Sequence, residues 1–108
     1  MIKDIEDIKD LSSALKNIDK AVVLFYASWC PYSQKFLPIY NKMSAGKPSN
    51  YLRFLMDDND EVADKYSIDV YPTVLFFEKG KLSKRLDGVA HEGLNEKKIT
   101  DFIGMCKV

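Results

Sequence analysis

A cysteine directly after an apolar run, in the stretch YASWCPYSQKF at 26–36, is the residue of this sequence best placed to do chemistry. Cys30 precedes Pro31, and Phe36, Leu37, Tyr40 and Met43 then recur at helical spacing, so the thiol stands where a helix begins. Unpaired backbone N–H groups and the positive end of the helix dipole favour a thiolate there and make it a nucleophile near neutral pH. Its attack on a disulfide needs no other catalytic group, because the leaving group is itself a thiolate and the product is a mixed disulfide.

Three residues on, where a second cysteine would complete a redox pair, stands Ser33. Its hydroxyl can hydrogen-bond a thiolate, but it is hardly ionised near neutral pH and forms no disulfide. A thiol in its place would resolve the mixed disulfide internally, at an effective molarity reaching on the order of 10⁵ M. With serine, the expectation is a long-lived mixed disulfide, or turnover only with an external small thiol. The other cysteine, Cys106, is remote in sequence, and His91 is the sole histidine. No Cys/His ligand cluster exists, so no metal or cofactor is expected. His91 reads as a solvated loop residue, and the run DDNDE at 57–61 as a strand end and helix start rather than a calcium loop.

The elements that position Cys30 follow from periodicity. MIKDI fits a short strand, and EDIKDLSSALKN carries a helical stripe of Ile8, Leu11, Leu15 and Ile18. AVVLFYA is continuously apolar, the pattern of a strand covered on both faces, and its carboxyl end delivers Trp29 and Cys30. Pro38 falls inside the next helix and predicts a kink. AGKPSN is a turn, YLRFLM a strand, and DNDEVADKY a short helix. VYPTVLFFEKGKLSKRLDG reads as two strands joined at Lys79-Gly80 in a hairpin. In NEKKITDFIGMC, Asn95 caps a final helix with Ile99, Phe102, Ile103 and Cys106 on one side. The series is βαβαβαββα, an α/β arrangement read as one domain over residues 1–108 without internal repeats.

Composition narrows the function classes. Of 108 residues, 46% are hydrophobic and 30% charged, with 16 basic and 16 acidic side chains, so no net charge draws the chain to nucleic acid or anionic lipid. The longest apolar run is seven residues, at 21–27, against roughly eighteen for a membrane span, so no bilayer crossing is expected. Acidic residues from Asp4 onward interrupt any secretory h-region in the first twenty positions, which makes the cytoplasm the expected compartment and a monomer the expected state.

Taken together, the order of elements, the WC at a strand-to-helix junction, Pro38 eight residues after the cysteine, YPT before the hairpin and Gly88 after its second strand resemble the thioredoxin family over essentially the whole chain. The resemblance implies the thioredoxin fold, a central mixed sheet with helices on both faces. It also implies a nucleophilic Cys30 at a helix start, faced by a cis proline at Pro72. Trp29, Pro31, Tyr32, Tyr71, Gly88 and Val89 take the places of the family's substrate groove, with the Tyr71 backbone offered to a bound peptide as an added strand. Met56 is open to a groove or a core reading. If the last helix begins near the active-site edge as the family's does, Cys106 lies about 18 Å further along its axis and packs as a small hydrophobe.

Two departures accompany the likeness. Ser33 occupies the family's second cysteine position, and Leu24 replaces the buried acid that many members place six residues before the nucleophile. The Pro-Tyr between Cys30 and Ser33 is similar to the glutaredoxin form of the motif, whereas VYPTVLFF and RLDGVA are thioredoxin-like. The implied activity is thiol–disulfide exchange through Cys30. Its partners would be disulfide-containing or thiol proteins, with a small thiol or a reductase as electron donor. Other readings stay open: a dithiol oxidoreductase engineered to serine at position 33 as a trap, a peptide-binding module without turnover, and a monothiol glutaredoxin-like role.

Overall fold

The computed structural model describes residues 4–108. Its elements are β1 (Asp4–Ile5), α1 (Ile8–Asn17), β2 (Lys20–Tyr26), α2 (Pro31–Ser44), β3 (Tyr51–Leu55), α3 (Asp60–Tyr66), β4 (Thr73–Glu78), β5 (Lys81–Leu86) and α4 (Glu96–Cys106). A single 3₁₀ turn at Pro48–Asn50 leads into β3. The first three residues of the expected opening strand lie outside the described residues.

The strands form one mixed sheet in the order β1-β3-β2-β4-β5. β3 pairs in parallel with both β1 and β2, while β4 runs antiparallel to β2 and to β5. The pleat explains the unbroken apolar character of β2, because alternate side chains serve opposite faces. Val22, Leu24 and Tyr26 pack with Phe36 and Tyr40 of α2 and Ile99 and Phe102 of α4. Ala21, Val23 and Phe25 pack on the other face with Leu11 and Leu15 of α1 and Val62 of α3. Leu24 is therefore a core residue of the α2 side.

Local signals set the element ends. The Asp7 carboxylate accepts from the N–H groups of Lys9 and Asp10 and starts α1, and the Asn95 side chain accepts from Lys98 N–H at 2.8 Å to start α4. The β4–β5 hairpin turns on Lys79 and Gly80, both with positive φ (52° and 80°), as a two-residue type I′ turn requires. α2 continues through Pro38 to Ser44, although the proline ring removes the helix bond to the Gln34 carbonyl. What anchors α2 is Tyr40, whose buried hydroxyl lies 3.0 Å from the Val22 carbonyl and 2.6 Å from that of Leu52. Burial raises the Tyr40 pKa well above its ordinary value, so the phenol stays a donor and ties the helix to β2 and β3.

Candidate active site

The segment between β2 and α2 is fixed from four directions. Cys30 N–H donates to the Ala27 carbonyl at 3.2 Å, and the Cys30 carbonyl accepts the first helical bond from Gln34 N–H at 3.1 Å. Ser28 N–H donates to one oxygen of the Asp57 carboxylate at 3.0 Å, and the Ser28 hydroxyl donates to the other. These two donors, the hydroxyl first, hold the Asp57 carboxyl below the usual carboxylate range. The Gln34 side-chain amide adds a bond to the Ser28 carbonyl at 3.0 Å. Asp57 sits just past β3, which pairs in register with β2 from Val22↔Tyr51 to Tyr26↔Leu55, so the two strand ends arrive together.

Cys30 is the N-cap of α2, with extended φ and ψ of −90° and 119°, and its side chain makes no capping hydrogen bond. The first-turn N–H groups of α2 are thus left to whatever charge develops near the sulfur. The residue is 7% exposed, with a small open face. Its thiol donates weakly to the Tyr71 carbonyl across 3.8 Å. Ser33, one turn on, is 0% exposed. Its Oγ accepts from Ala27 N–H at 3.3 Å and makes no hydrogen bond to the Cys30 sulfur. The side chain that occupies the resolving position therefore braces the end of β2.

The facing wall comes from the loop before β4. The Tyr71–Pro72 peptide bond is cis. Trp29 is 70% exposed and meets the Tyr71 ring edge-on, with centroids 6.0 Å apart at 83°. Thr73 Oγ1 donates to the Val70 carbonyl at 2.7 Å and accepts from Gly88 N–H at 3.4 Å, which holds the end of β5 against the Pro72 segment. Gly88 is needed there, since a Cβ on it would fall 2.3 Å from the Pro72 carbonyl oxygen.

Beyond Gly88 the chain closes a tight turn in which Val89 N–H donates to the Gly93 carbonyl at 3.0 Å and Gly93 N–H returns to the Val89 carbonyl at 2.7 Å. Gly93 has φ of 73°, and a Cβ on it would lie 2.8 Å from the Cβ of Tyr32. The turn thus seats on Tyr32 and brings partly exposed Val89 to the same rim.

Of the residues singled out for the site, Trp29, Cys30, Pro31, Tyr32 and Ser33 follow one another into α2, Tyr71 meets Trp29 and Cys30, Gly88 lies against Pro72, and Val89 is bonded to Gly93 in the turn that touches Tyr32. Met56 is not among them. It is buried in the α1/α3 side of the core and its N–H bonds the Tyr26 carbonyl at 2.8 Å, which decides between its two readings. His91 is exposed on the turn. Cys106 is 3% exposed, and burial pushes its thiol up to about 11. Its charged neighbours include Glu78 at the end of β4, whereas the Pro72 loop precedes the start of that strand, about 17 Å of extended chain away. Sequence reasoning missed Asp57, Gln34, Thr73 and Gly93. Among the described residues no group of three or more His, Cys, Asp or Glu side chains could hold a metal ion.

The order of elements, the WC at a strand-to-helix junction, Pro38, YPT before the hairpin and Gly88 after its second strand were the marks of resemblance in the sequence, and a family model described as thioredoxin matches residues 5–103. The chain belongs to the thioredoxin family. The thioredoxin of Geodia cydonium is 37% identical over 101 residues, covering 90% of this chain and 95% of that protein. Endoplasmic reticulum resident protein 44 of Bos taurus is 36% identical over 87 residues, covering 73% of this chain. This chain spans 21% of the length of that relative. Among solved structures, Plasmodium falciparum thioredoxin superposes with a TM-score of 0.83 at 21% identity, covering 96% of this chain and 98% of that one, a likeness of fold. The five-stranded mixed sheet with helices on both faces is the thioredoxin fold. Among the described residues no helix is long and apolar enough to cross a membrane.

Proposed function

We propose that this thioredoxin-family chain is a thiol–disulfide exchange protein with one nucleophile, Cys30, which forms mixed disulfides by attacking disulfide-containing proteins and expelling one of their thiolates. The observation that carries the reading is the division of labour on the first turn of α2. Cys30 caps the helix with its side chain unused by the backbone, while Ser33 is turned inward onto Ala27 N–H. Amide groups at the helix start face the negative charge that is shared along the line of three sulfurs in the transition state. Trp29, Pro31, Tyr32, Tyr71, Pro72, Gly88 and Val89 form the groove that receives the partner's backbone and side chains. A small external thiol or a reductase would return the site to its starting state.

Incubation with insulin in the absence of added thiol tests this. The expected product is a covalent insulin adduct on Cys30, stable to alkylation quenching and absent from the Cys30→Ser chain. An adduct that persists in Cys30→Ser, or none in either protein, would overturn the assignment.

A further inference from the structure

The chain carries as many basic as acidic side chains, but the fold separates them. The stretches that leave the carboxyl ends of β1 and β3 carry Glu6 and Asp7, then Asp57, Asp58, Asp60 and Glu61, while the bases near the starts of α1 and α2 are Lys9 and Lys35. Lys16, Lys20, Lys79 and Lys81 gather at the opposite edge, where α1 ends, β2 begins and the β4–β5 hairpin turns, beside Asp19 and Glu78. The molecule is neutral in sum and acidic at the end that holds Cys30. That acidity reaches the groove. Asp57 accepts from Ser28, two residues before the nucleophile. Burial first, then the charges of Asp60 and Asp57, raise the Tyr71 phenol above its ordinary pKa, which places both carboxylates within electrostatic reach of that ring. Among the described residues neither carboxylate forms a salt bridge. Trp29, 70% exposed, meets the same Tyr71 ring edge-on, so an open indole stands beside two uncompensated charges. An indole face attracts a cation and accepts the apolar stem of a long basic side chain. Lysine or arginine satisfies both the ring and the carboxylates, and an acid is repelled.

Resting on Cys30 as the nucleophile, we propose that the groove selects disulfide proteins whose reacting cysteine is flanked by Lys or Arg, with the cationic side chain seated on Trp29 and facing Asp57 and Asp60. Charge complementarity of this kind acts chiefly on encounter and raises association rates by about tenfold or more at low salt. Salt screens it, since the Debye length falls from about 30 Å at 0.01 M to about 3 Å at 1 M.

The test uses the full chain and disulfide-linked homodimers of three short single-cysteine peptides, with the cysteine flanked by lysines, by glycines or by glutamates. Because both sulfurs of a homodimer are equivalent, attack by Cys30 gives one adduct and one expelled peptide thiolate whichever sulfur is struck. Adduct formation is followed by mass analysis after acid quenching, and each rate is divided by that of the same homodimer with 2-mercaptoethanol, which removes the peptides' own differences in reactivity. At about 0.01 M salt the lysine peptide should lead the glutamate peptide by on the order of tenfold, with the glycine peptide between them, and at about 1 M salt the ratio should fall to within about twofold. Equal normalised rates at low salt, or a ratio that salt leaves unchanged, overturn the proposal. Asp60→Asn combined with Glu61→Gln removes two exposed charges and keeps the Asn59 cap, and should lower the low-salt ratio several-fold. An unchanged ratio in that variant overturns the assignment to these acids. If none of the three peptides forms an adduct, Cys30 as the nucleophile falls instead, and this inference with it.

Discussion

Gly93 lies against Tyr32 so closely that a Cβ on the glycine would stand 2.8 Å from the Cβ of the tyrosine, with the ring atoms Cγ and Cδ1 at 3.3 and 3.4 Å. The contact joins the turn after β5 to the second residue of α2, and it sets one rim of the Cys30 groove. Gly93 also has φ of 73°, a region L side chains rarely adopt. Gly93→Ala should therefore cost about 1–3 kcal/mol in urea unfolding, from backbone strain and overlap together. Combining it with Tyr32→Gly, which removes the clashing atoms, should restore at least about 0.5 kcal/mol relative to the sum of the single changes. Strict additivity would show that the turn does not seat on Tyr32.

Gly88 makes the same argument against backbone. A Cβ there would lie 2.3 Å from the Pro72 carbonyl oxygen, and a peptide carbonyl cannot swing aside as a side chain can. Gly88→Ala should lower stability by about 1–3 kcal/mol and slow adduct formation at Cys30, since the Pro72 segment must move. A variant that unfolds and reacts like the parent would remove Gly88 from the site.

Asp57 predicts a pH dependence. Its folded carboxyl is held below the ordinary range, by the Ser28 hydroxyl first and the Ser28 N–H second. A depressed folded pKa stabilises above the unfolded pKa, and the contribution is lost as pH falls through the folded value. Ser28→Ala should lower the denaturation midpoint at neutral pH, and the gap from the parent should close as the solution is acidified below the ordinary carboxylate range. A gap constant across that window would show that the Ser28 link does not hold Asp57 ionised.

Cys106 should be chemically silent in the folded chain. Burial pushes its thiol up to about 11, so at neutral pH it carries almost no thiolate. Iodoacetamide should label Cys30 under native conditions and reach Cys106 only in denaturant. Cys106→Ser should leave the rate of adduct formation at Cys30 unchanged, while costing about 1 kcal/mol of stability through its buried hydroxyl. A slower Cys30 reaction would mean that the distant thiol takes part.

These ties mark the limit of what the sequence makes legible. Apolar β2, the Lys79-Gly80 turn, the Pro31 helix start and the Asn95 cap are encoded within a few neighbouring residues, and each can be read in isolation. The Ser28–Asp57 and Tyr32–Gly93 contacts join residues brought together by the order β1-β3-β2-β4-β5, which no local pattern states. Asp57 is hidden in an acidic run that reads equally well as a helix start, and Gly93 is one glycine in a polar loop. The role of Ser33 is legible as a missing thiol, but its inward bond to Ala27 N–H requires the packed end of β2 to be seen.

Counting turnovers tests the central claim most directly. With insulin in excess, no added thiol and a free-thiol assay that excludes adducted protein, a single nucleophile at Cys30 predicts one partner held per chain followed by a plateau. Release of one fully reduced insulin disulfide per chain, with no adduct retained and Cys30 left in an internal disulfide, would contradict it, because a second resolving thiol would then have to exist in the site.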